Sequence, residues 1–551
     1  MGSNKCHFFV NVESFNKEVS GSRTVVTVRF PNGTKKQILV DCGLNQEEKY
    51  SEYNDFLPFK AENIDYVIVT HNHVDHTGML PLLVKDGYHG EIITSKDTAV
   101  LMPATLRDTC RINSKSKGSK TRSKMEAKFE FKAKSKNRPK AKFKFKAKAK
   151  IKDKKSSEPV YDETDVEKTL SLVKSYPFEK CIHLDDNIKL TLFENAHLPG
   201  AVIALLQISY HNHSNTFHYE DINLLFTGDY NNKNAFLDFK QLPKWVYQLP
   251  IHIIQESTYG DTYSSEIEYV FEKNIIKAAS EGREILIPAL ALNRYQEILL
   301  CLKKLQDAGS LSKNIPIYCD GALGILFTKL FLSEKLNIKK ETRDFLPQNV
   351  HYVTNKFQRD EILKTENCKI IIATSGMGNH GPAEVYIPAL LTRRKALIHF
   401  TCYLAEGTLG RKLLDTTKYD EVEIKGTKIK KHAEVKFTFE FSAHAKKDEL
   451  LSFLKDFENI KTVLINHGSF DVKDAYSTAV LNETHAKNVC ILGIGYYFRL
   501  DGYGLVGSYS THSDYSWNIR IFCSNCNIAN EKRGFSLFFR FHSFIFFYLF
   551  L

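Results

Sequence analysis

The run Thr70-His71-Asn72-His73-Val74-Asp75-His76-Thr77-Gly78 lies directly behind an apolar, strand-like stretch, Tyr66-Val67-Ile68-Val69. An apolar, helix-compatible stretch follows it, from Gly78 to Val84. Any fold must therefore end a buried strand in a knot of ligand-type side chains and turn at once into a helix. Side chains two apart on extended backbone point the same way, so His71 and His73 can share one metal ion. Asp75 and His76 come as the chain turns, and they can face a second ion beside the first. Imidazole and carboxylate are the ligands zinc prefers in open, catalytic sites. A lone histidine among the 20 of this chain needs no metal, but three with an aspartate at one strand end call for a two-metal hydrolase.

At 551 residues the chain has room for two or three domains with large cores, and 43% hydrophobic with 25% charged residues is an ordinary composition for a folded protein in water. Eleven cysteines are scattered. Only Cys523 and Cys526 form a CxxC, too little for a four-ligand zinc site or a disulfide framework. A reducing, cytoplasmic setting is the expectation. Met1–Val10 has no long apolar run, so no signal peptide is expected.

The net charge of +12 is local in origin. Between Ser114 and Lys155 stand 19 Lys/Arg and 3 Asp/Glu, an excess of 16 positive charges that leaves −4 for the rest. This segment, about 112–158, contains the near-repeat Ala127-Lys-Phe-Glu-Phe-Lys-Ala-Lys-Ser-Lys136 and Ala141-Lys-Phe-Lys-Phe-Lys-Ala-Lys-Ala-Lys150. It reads as a weakly ordered surface insertion. Its lysines and phenylalanines fit sequence-independent nucleic-acid binding and equally a solvated loop with no role. The last residues, Phe535–Leu551, are rich in phenylalanine, but the uninterrupted apolar part from Phe544 is too short to span a bilayer. No stable membrane association is expected.

Apolar runs that end in an acid or a histidine recur. Asp41 ends Ile38-Leu39-Val40, and Asp229 ends Leu224-Leu-Phe-Thr-Gly. Glu256 follows Ile251-His-Ile-Ile-Gln, His467 follows Val463-Leu-Ile-Asn, and His197 precedes Pro199-Gly200. Each alone has a plain reading as a turn or cap residue. Together they mark the carboxyl edge of a sheet, where α/β active sites form. Between about 265 and 400, strand-like runs (Ile285–Pro288, Ile315–Tyr318, Ile370–Ala373, Ala396–His399) alternate with helical stretches such as Gln296–Leu305, the pattern of a parallel sheet with crossover helices. Metal-type residues then return at 444 and 467, so a first domain interrupted by a second is the simplest topology.

Taken in order, these motifs resemble the metallo-β-lactamase superfamily and, within it, the β-CASP nucleases. The His-x-His-x-Asp-His signature is His71, His73, Asp75 and His76. Asp41, His197 in His-Leu-Pro-Gly-Ala and Asp229 in Thr-Gly-Asp fill the other superfamily positions. Glu256 in Glu-Ser-Thr-Tyr-Gly, His444 in Phe441-Ser-Ala-His-Ala and His467 in Asn-His-Gly fill the β-CASP ones. Ala291–Glu297, Thr374–Met377 and Tyr403–Arg411 resemble the family's nucleic-acid cleft. Three departures remove no ligand: Ser469 after His467-Gly468, Lys446-Lys447 where Asp is frequent, and Asn293 in place of a common Gly.

The resemblance implies an α/β fold, a metallo-β-lactamase αββα sandwich with an inserted β-CASP domain. Expected boundaries are 1–250 for the first part of the sandwich, 251–425 for the β-CASP domain, 426–510 for the returning chain and 511–551 for an atypical tail. It implies two Zn²⁺, one held by His71, His73 and His197, the other by Asp75, His76 and His467, with Asp229 and a hydroxide bridging them. Such a centre keeps net positive charge and attracts a phosphodiester. Asp41 would orient ligands rather than bind metal, and stands with Asp229 among the catalytic residues. His444 is the candidate general acid, with Glu256 on its ring favouring the imidazolium. Ser375, Ser442 and Arg294 are candidate substrate contacts, although cap or turn roles explain the serines equally. A histidine at 467 is associated with RNA-directed relatives.

The expected activity is zinc-dependent RNA endonuclease, resembling the bacterial and archaeal relatives of the RNA 3′-end-processing endonuclease. The alternatives are a 5′-exonuclease in the style of RNase J and a non-catalytic RNA-binding processing subunit. RNA is the expected partner, with a homodimer as a further option.

Overall fold

The structure, a computed structural model, describes residues 8–117, 160–210, 219–404, 406–510 and 521–523. The near-repeat at 127–150, Cys526 and the stretch 535–551 lie outside them.

Two sheets are stacked. The first runs, in order, Gly504–Ser510, Tyr496–Asp501, Phe9–Ser14, Thr24–Arg29, Lys35–Val40, Tyr66–Ile68, Ile92–Ser95 and Val173–Tyr176. The second runs Ile521–Cys523, Asn488–Ile491, Ile460–Asn466, Ile251–Glu256, Ile222–Phe226, Val202–Ile208, Ile188–Glu194 and Cys181–His183. Both faces of each sheet are covered, and the two-residue period of a strand sorts side chains between them. Ile38, Val40, Ile254 and Leu464 face inward into the core between the sheets. Leu39 turns outward onto Met79, Leu83 and Leu106 beside the helices Leu80–Lys85 and Lys96–Lys117. Ile253 and Ile465 turn outward onto Leu454 and Val480, from the helices Lys447–Lys455 and Phe470–Glu483. The layers are thus helix, sheet, sheet, helix.

A third sheet, wholly parallel, has the order Val350–Val353, Ile317–Asp320, Lys369–Ala373, Glu284–Pro288, Ala396–Phe400 and Glu434–Phe437. Ile285 and Ile287 pack against helices Phe271–Ser280, Arg294–Asp307 and Ala322–Leu332. Leu286 packs on the opposite face against Ala383–Leu391. The sheet pairings run past the expected boundaries. Ile251–Glu256 still pairs with Ile222–Phe226 and Ile460–Asn466 in the second sheet, and Glu434–Phe437 pairs with Ala396–Phe400 in the third. The helix Lys96–Lys117 also continues into the lysine-rich segment expected to begin at 112. Its packed part, with Met102, Leu106 and Cys110 buried, is an established nucleus, and lysines propagate a helix easily once one exists.

In the first two sheets the strands that end in site residues share a direction. Lys35–Val40 is parallel to Tyr66–Ile68, and Ile222–Phe226, Ile251–Glu256 and Ile460–Asn466 are mutually parallel. Their carboxyl ends lie on one rim, and the third sheet caps that rim to leave a cleft. No described helix is long and apolar enough to cross a membrane, and among the described residues none of the cysteines from Cys42 to Cys490 is in a disulfide.

Candidate metal centre

Distant strand ends meet at this rim in two groups of ligand atoms, and a third set, Asp229, His444 and His467, shares residues with both. In the first, His73 Nδ1 lies 3.1 Å from both His71 Nε2 and His197 Nε2. Asp229 Oδ2 lies 3.6 Å from His71 Nε2 and 3.8 Å from His197 Nε2. In the second, Asp75 Oδ2 lies 3.9 Å from both His76 Nε2 and His467 Nε2. Asp229 joins the groups, with Oδ2 3.3 Å from His76 Nε2 and Oδ1 3.3 Å from His467 Nε2. The atoms within each group all lie within 4.8 Å of one another.

The far sides of the rings are tethered. His76 Nδ1 faces Asp41 Oδ2 at 2.7 Å, His71 Nδ1 faces Thr70 Oγ1 at 3.1 Å, and His467 Nδ1 faces Thr258 Oγ1 at 3.1 Å. His197 Nδ1 donates to the Ala443 carbonyl at 2.8 Å. Asp41 also accepts from the Thr70 amide at 2.7 Å and hydroxyl at 2.9 Å. It therefore orients rings instead of facing the metal-type atoms. Asp41 and His467 have φ of 61° and 47°, a left-handed conformation that costs a non-glycine residue about 1–3 kcal/mol and tends to gather at functional sites.

Of the buried side-chain atoms without a hydrogen-bond partner, three belong to this centre: His76 Nε2, His467 Nε2 and Asp229 Oδ1. Each such orphan costs about 1–3 kcal/mol. All three converge on the same space, which is what cation ligands do. The protonation pattern of the His71, His73 and His197 group also fits a cation. Burial, reinforced by neighbouring imidazoles, pushes His71 and His197 well below the usual histidine range, and His73 down to about 3. These rings are neutral, with a lone pair to give. Burial works against charge on His76 too, but Asp229 and Asp41 outweigh it and hold that ring well above its ordinary value. Burial would raise Asp229, but His467, His76 and His444 outweigh it and keep the carboxylate ionised.

His444 sits beside this centre. Its Nδ1 lies 2.9 and 3.1 Å from the two oxygens of Glu256, and its Nε2 lies 3.9 Å from Asp229 Oδ2. Glu256 is fixed by the amides of Tyr230 and Thr258, at 2.7 and 3.0 Å. Burial opposes charge on His444, yet Glu256 and Asp229 raise it above the usual histidine value.

The cleft over these groups has a volume of about 250 Å³. Arg294 and Ser442 line it with His73, Asp75 and His444. Ser442 Oγ accepts from the His444 amide at 3.2 Å. Ser375 does not line it; it lies in the turn after Lys369–Ala373, and Met377 reaches the cleft instead. Reading from residue types misses Thr70, Thr258 and the Ala443 carbonyl, because threonines and backbone groups carry no chemical signature. It also misses Gly43. A Cβ there would lie 1.5 Å from the Asp75 carbonyl oxygen, so the close approach of the Asp41 loop to the histidine run demands glycine.

Comparisons with known proteins agree with this layout. Residues 21–109 match the metallo-β-lactamase superfamily, 295–413 the Beta-Casp domain, and 428–491 the Zn-dependent metallo-hydrolase RNA specificity domain. The chain carries a metallo-β-lactamase domain and a β-CASP domain. Two similar relatives of this β-CASP chain are transcription termination factors FttA. That of Cenarchaeum symbiosum (strain A) is 26% identical over 78% of this chain, and that of Methanocaldococcus jannaschii is 27% identical over 81%. The chain spans 62% and 65% of the length of those two proteins. An RNase J-like protein of Methanocaldococcus jannaschii is 25% identical over 79% of this chain and 87% of its own length. The metallo-β-lactamase fold implies binding of divalent metal, and the two ligand groups are where this chain would hold it.

Proposed function

We propose that this β-CASP protein is a zinc-dependent endoribonuclease. The observation that carries the reading is the joining of two ligand groups through Asp229, with the His444–Glu256 pair 3.9 Å away. His71, His73 and His197 would hold one zinc, and Asp75, His76 and His467 the other, with Asp229 shared. Paired zinc ions would supply an activated water and offset charge on the phosphoryl oxygens. The protein's own part is placement and proton supply. Asp41, Thr70, Thr258 and the Ala443 carbonyl fix the ring orientations. Glu256 accepts the Nδ1 proton of His444, so Nε2 faces the reacting phosphate and delivers a proton to the departing oxygen. Arg294 and Ser442 line the approach and are assigned to substrate phosphate. Two observations support RNA: the match of 428–491 to an RNA specificity domain, and relatives named as transcription termination factors and as an RNase J-like protein.

A 5′-exonuclease is the second reading, favoured by the RNase J-like relative matched over 87% of its length. Zinc analysis combined with cleavage of a labelled circular RNA tests both. Two zincs per chain and a linearised circle are expected, with both lost or reduced in Asp75→Ala. An intact circle beside a degraded 5′-monophosphorylated linear RNA would select the exonuclease. No cleavage of either RNA by the two-zinc protein would refute the enzymatic reading.

A further inference from the structure

The loop at 17–22 lends Val19 and Ser20 to the rim of the cleft. Behind it lies a buried cation, Arg23, 2% exposed. The backbone at Arg23 is clasped. Its amide donates to Asn16 Oδ1 at 2.8 Å, and its carbonyl accepts from the Phe15 amide at 2.8 Å. The guanidinium is not. Nη1 reaches only the Tyr53 carbonyl, at 3.4 Å, and the buried Nε has no partner. Asn16, 1% exposed, leaves its Nδ2 without a partner as well. Two donors of one clasp are thus left over.

The charge on Arg23 also has no complement: among the described residues it makes no ion pair. Burial holds the guanidinium below its ordinary range, and only the Cys42 thiol acts against that. Burial pushes Cys42 itself up to about 12, so near neutrality it is an uncharged thiol. The acids that are near in the chain are committed elsewhere. Glu18 accepts from Lys49 and Tyr50 at 2.7 and 3.0 Å, Glu47 from the Ser20 hydroxyl, and Asp41 from the Thr70 amide and His76. Asn45 Oδ1, an orphaned acceptor, lies against Gly21 and carries no charge. Arginine does not shed its proton, and a buried charge left alone is strongly destabilising. Water would satisfy a donor without offsetting the charge; an anion does both. The cover is thin: Tyr53 belongs to the short 3-10 helix Glu48–Asn54, whose Lys49, Ser51 and Glu52 are exposed. A shift of that one turn lets a small ion exchange.

We propose that Arg23 Nε and Asn16 Nδ2 hold a small monovalent anion of the chloride class as the missing counter-charge. The site is separate from the two ligand groups and does not depend on the RNA reading. Its role is to brace the metal centre from behind. The Ser22 amide donates to the Asp75 carbonyl at 2.8 Å, and the Ser22 carbonyl accepts from the Gly43 amide at 3.0 Å.

The test uses the zinc-loaded full chain with bromide as the probe. In crystals grown with bromide, anomalous differences compared on the two sides of the bromine edge cancel the zinc. They should leave a peak in contact with Arg23 Nε and Asn16 Nδ2. In solution at fixed ionic strength, bromide in place of gluconate should raise the wild-type unfolding midpoint, by an increment that grows with the logarithm of its concentration. Arg23→Met, which removes the charge and the donor, should lose that dependence. Asn16→Asp carries the test even where Arg23→Met does not fold. Its second carboxylate oxygen replaces Nδ2 and supplies the counter-charge from within. It should therefore be stable without halide and lose both the dependence and the peak. Absence of a peak at Arg23 in the wild type overturns the site, and so does a bromide dependence that is the same in wild type and Asn16→Asp. A peak without any dependence in solution marks an adventitious ion only and overturns it equally.

Discussion

Replacing Asp41 with Asn should empty the pocket of His76 selectively. The carboxylate takes three short hydrogen bonds, from the Thr70 amide at 2.7 Å, the Thr70 hydroxyl at 2.9 Å and His76 Nδ1 at 2.7 Å. Asparagine keeps the shape and tolerates the φ of 61°. Its oxygen can still accept from the Thr70 amide, but its N–H group then takes the place of Oδ2 and faces both His76 Nδ1 and the Thr70 hydroxyl. That favours the tautomer with the proton on Nε2, the atom that must offer a lone pair to metal. Loss of such a partner weakens metal binding about 10- to 100-fold, or about 1.4–2.8 kcal/mol. The other group keeps the His197 tether to the Ala443 carbonyl and is touched only indirectly, through the Thr70 hydroxyl that faces His71 Nδ1. Zinc titration against a chelator of graded affinity should therefore resolve two unequal steps in Asp41→Asn, the tighter one close to wild type. Equal weakening of both steps, or of neither, would show that Asp41 does not act through His76.

Further outcomes follow from the same geometry. His444→Ala should lower cleavage by about 10²–10⁴, the worth of a general acid, with zinc content unchanged; loss of zinc would make His444 a ligand instead. Because Asp229 and Asp41 hold His76 above its ordinary pKa of 6.5, protons should compete for its pocket at a higher pH than for the low-pKa His71, His73 and His197 group. Zinc analysis down a pH series should thus show one equivalent leaving first. In the metal-free protein the His76 ion pairs stabilise fully below 6.5 and lose that contribution as pH rises through the raised value, measurable as a falling unfolding midpoint. Gly43→Ala forces a Cβ to 1.5 Å from the Asp75 carbonyl oxygen. It should destabilise by about 3 kcal/mol or more in chemical denaturation, whereas Gly33→Ala, with open space around its Cβ, should cost far less.

What could be read in advance follows chemistry. Metal-type residues at strand ends declare themselves, because few other roles require histidine and aspartate at such spacing. Their convergence follows from strand direction, since parallel strands bring their carboxyl ends to one rim. Residues that act through a hydroxyl or a backbone carbonyl leave no such trace, as Thr258 and Ala443 show. Ser375 looks equivalent to Ser442 on paper; only the turn after Lys369–Ala373 separates them. Asn293 reads as a mere departure from glycine, yet it has φ 66° and ψ −57°, with the Arg294 amide donating to the Leu292 carbonyl at 2.8 Å. That is a strained γ-turn. The Asn293 side chain offsets part of its cost by donating to Glu297 at 3.1 Å, the carboxylate that holds Arg294.

The most direct test of the two-ion centre is anomalous diffraction at the zinc edge from crystals of the zinc-loaded protein. Two peaks about 3.5–4 Å apart are expected, one among His71, His73 and His197, the other among Asp75, His76 and His467, with Asp229 between them. A single peak, or peaks away from Asp229, would contradict it.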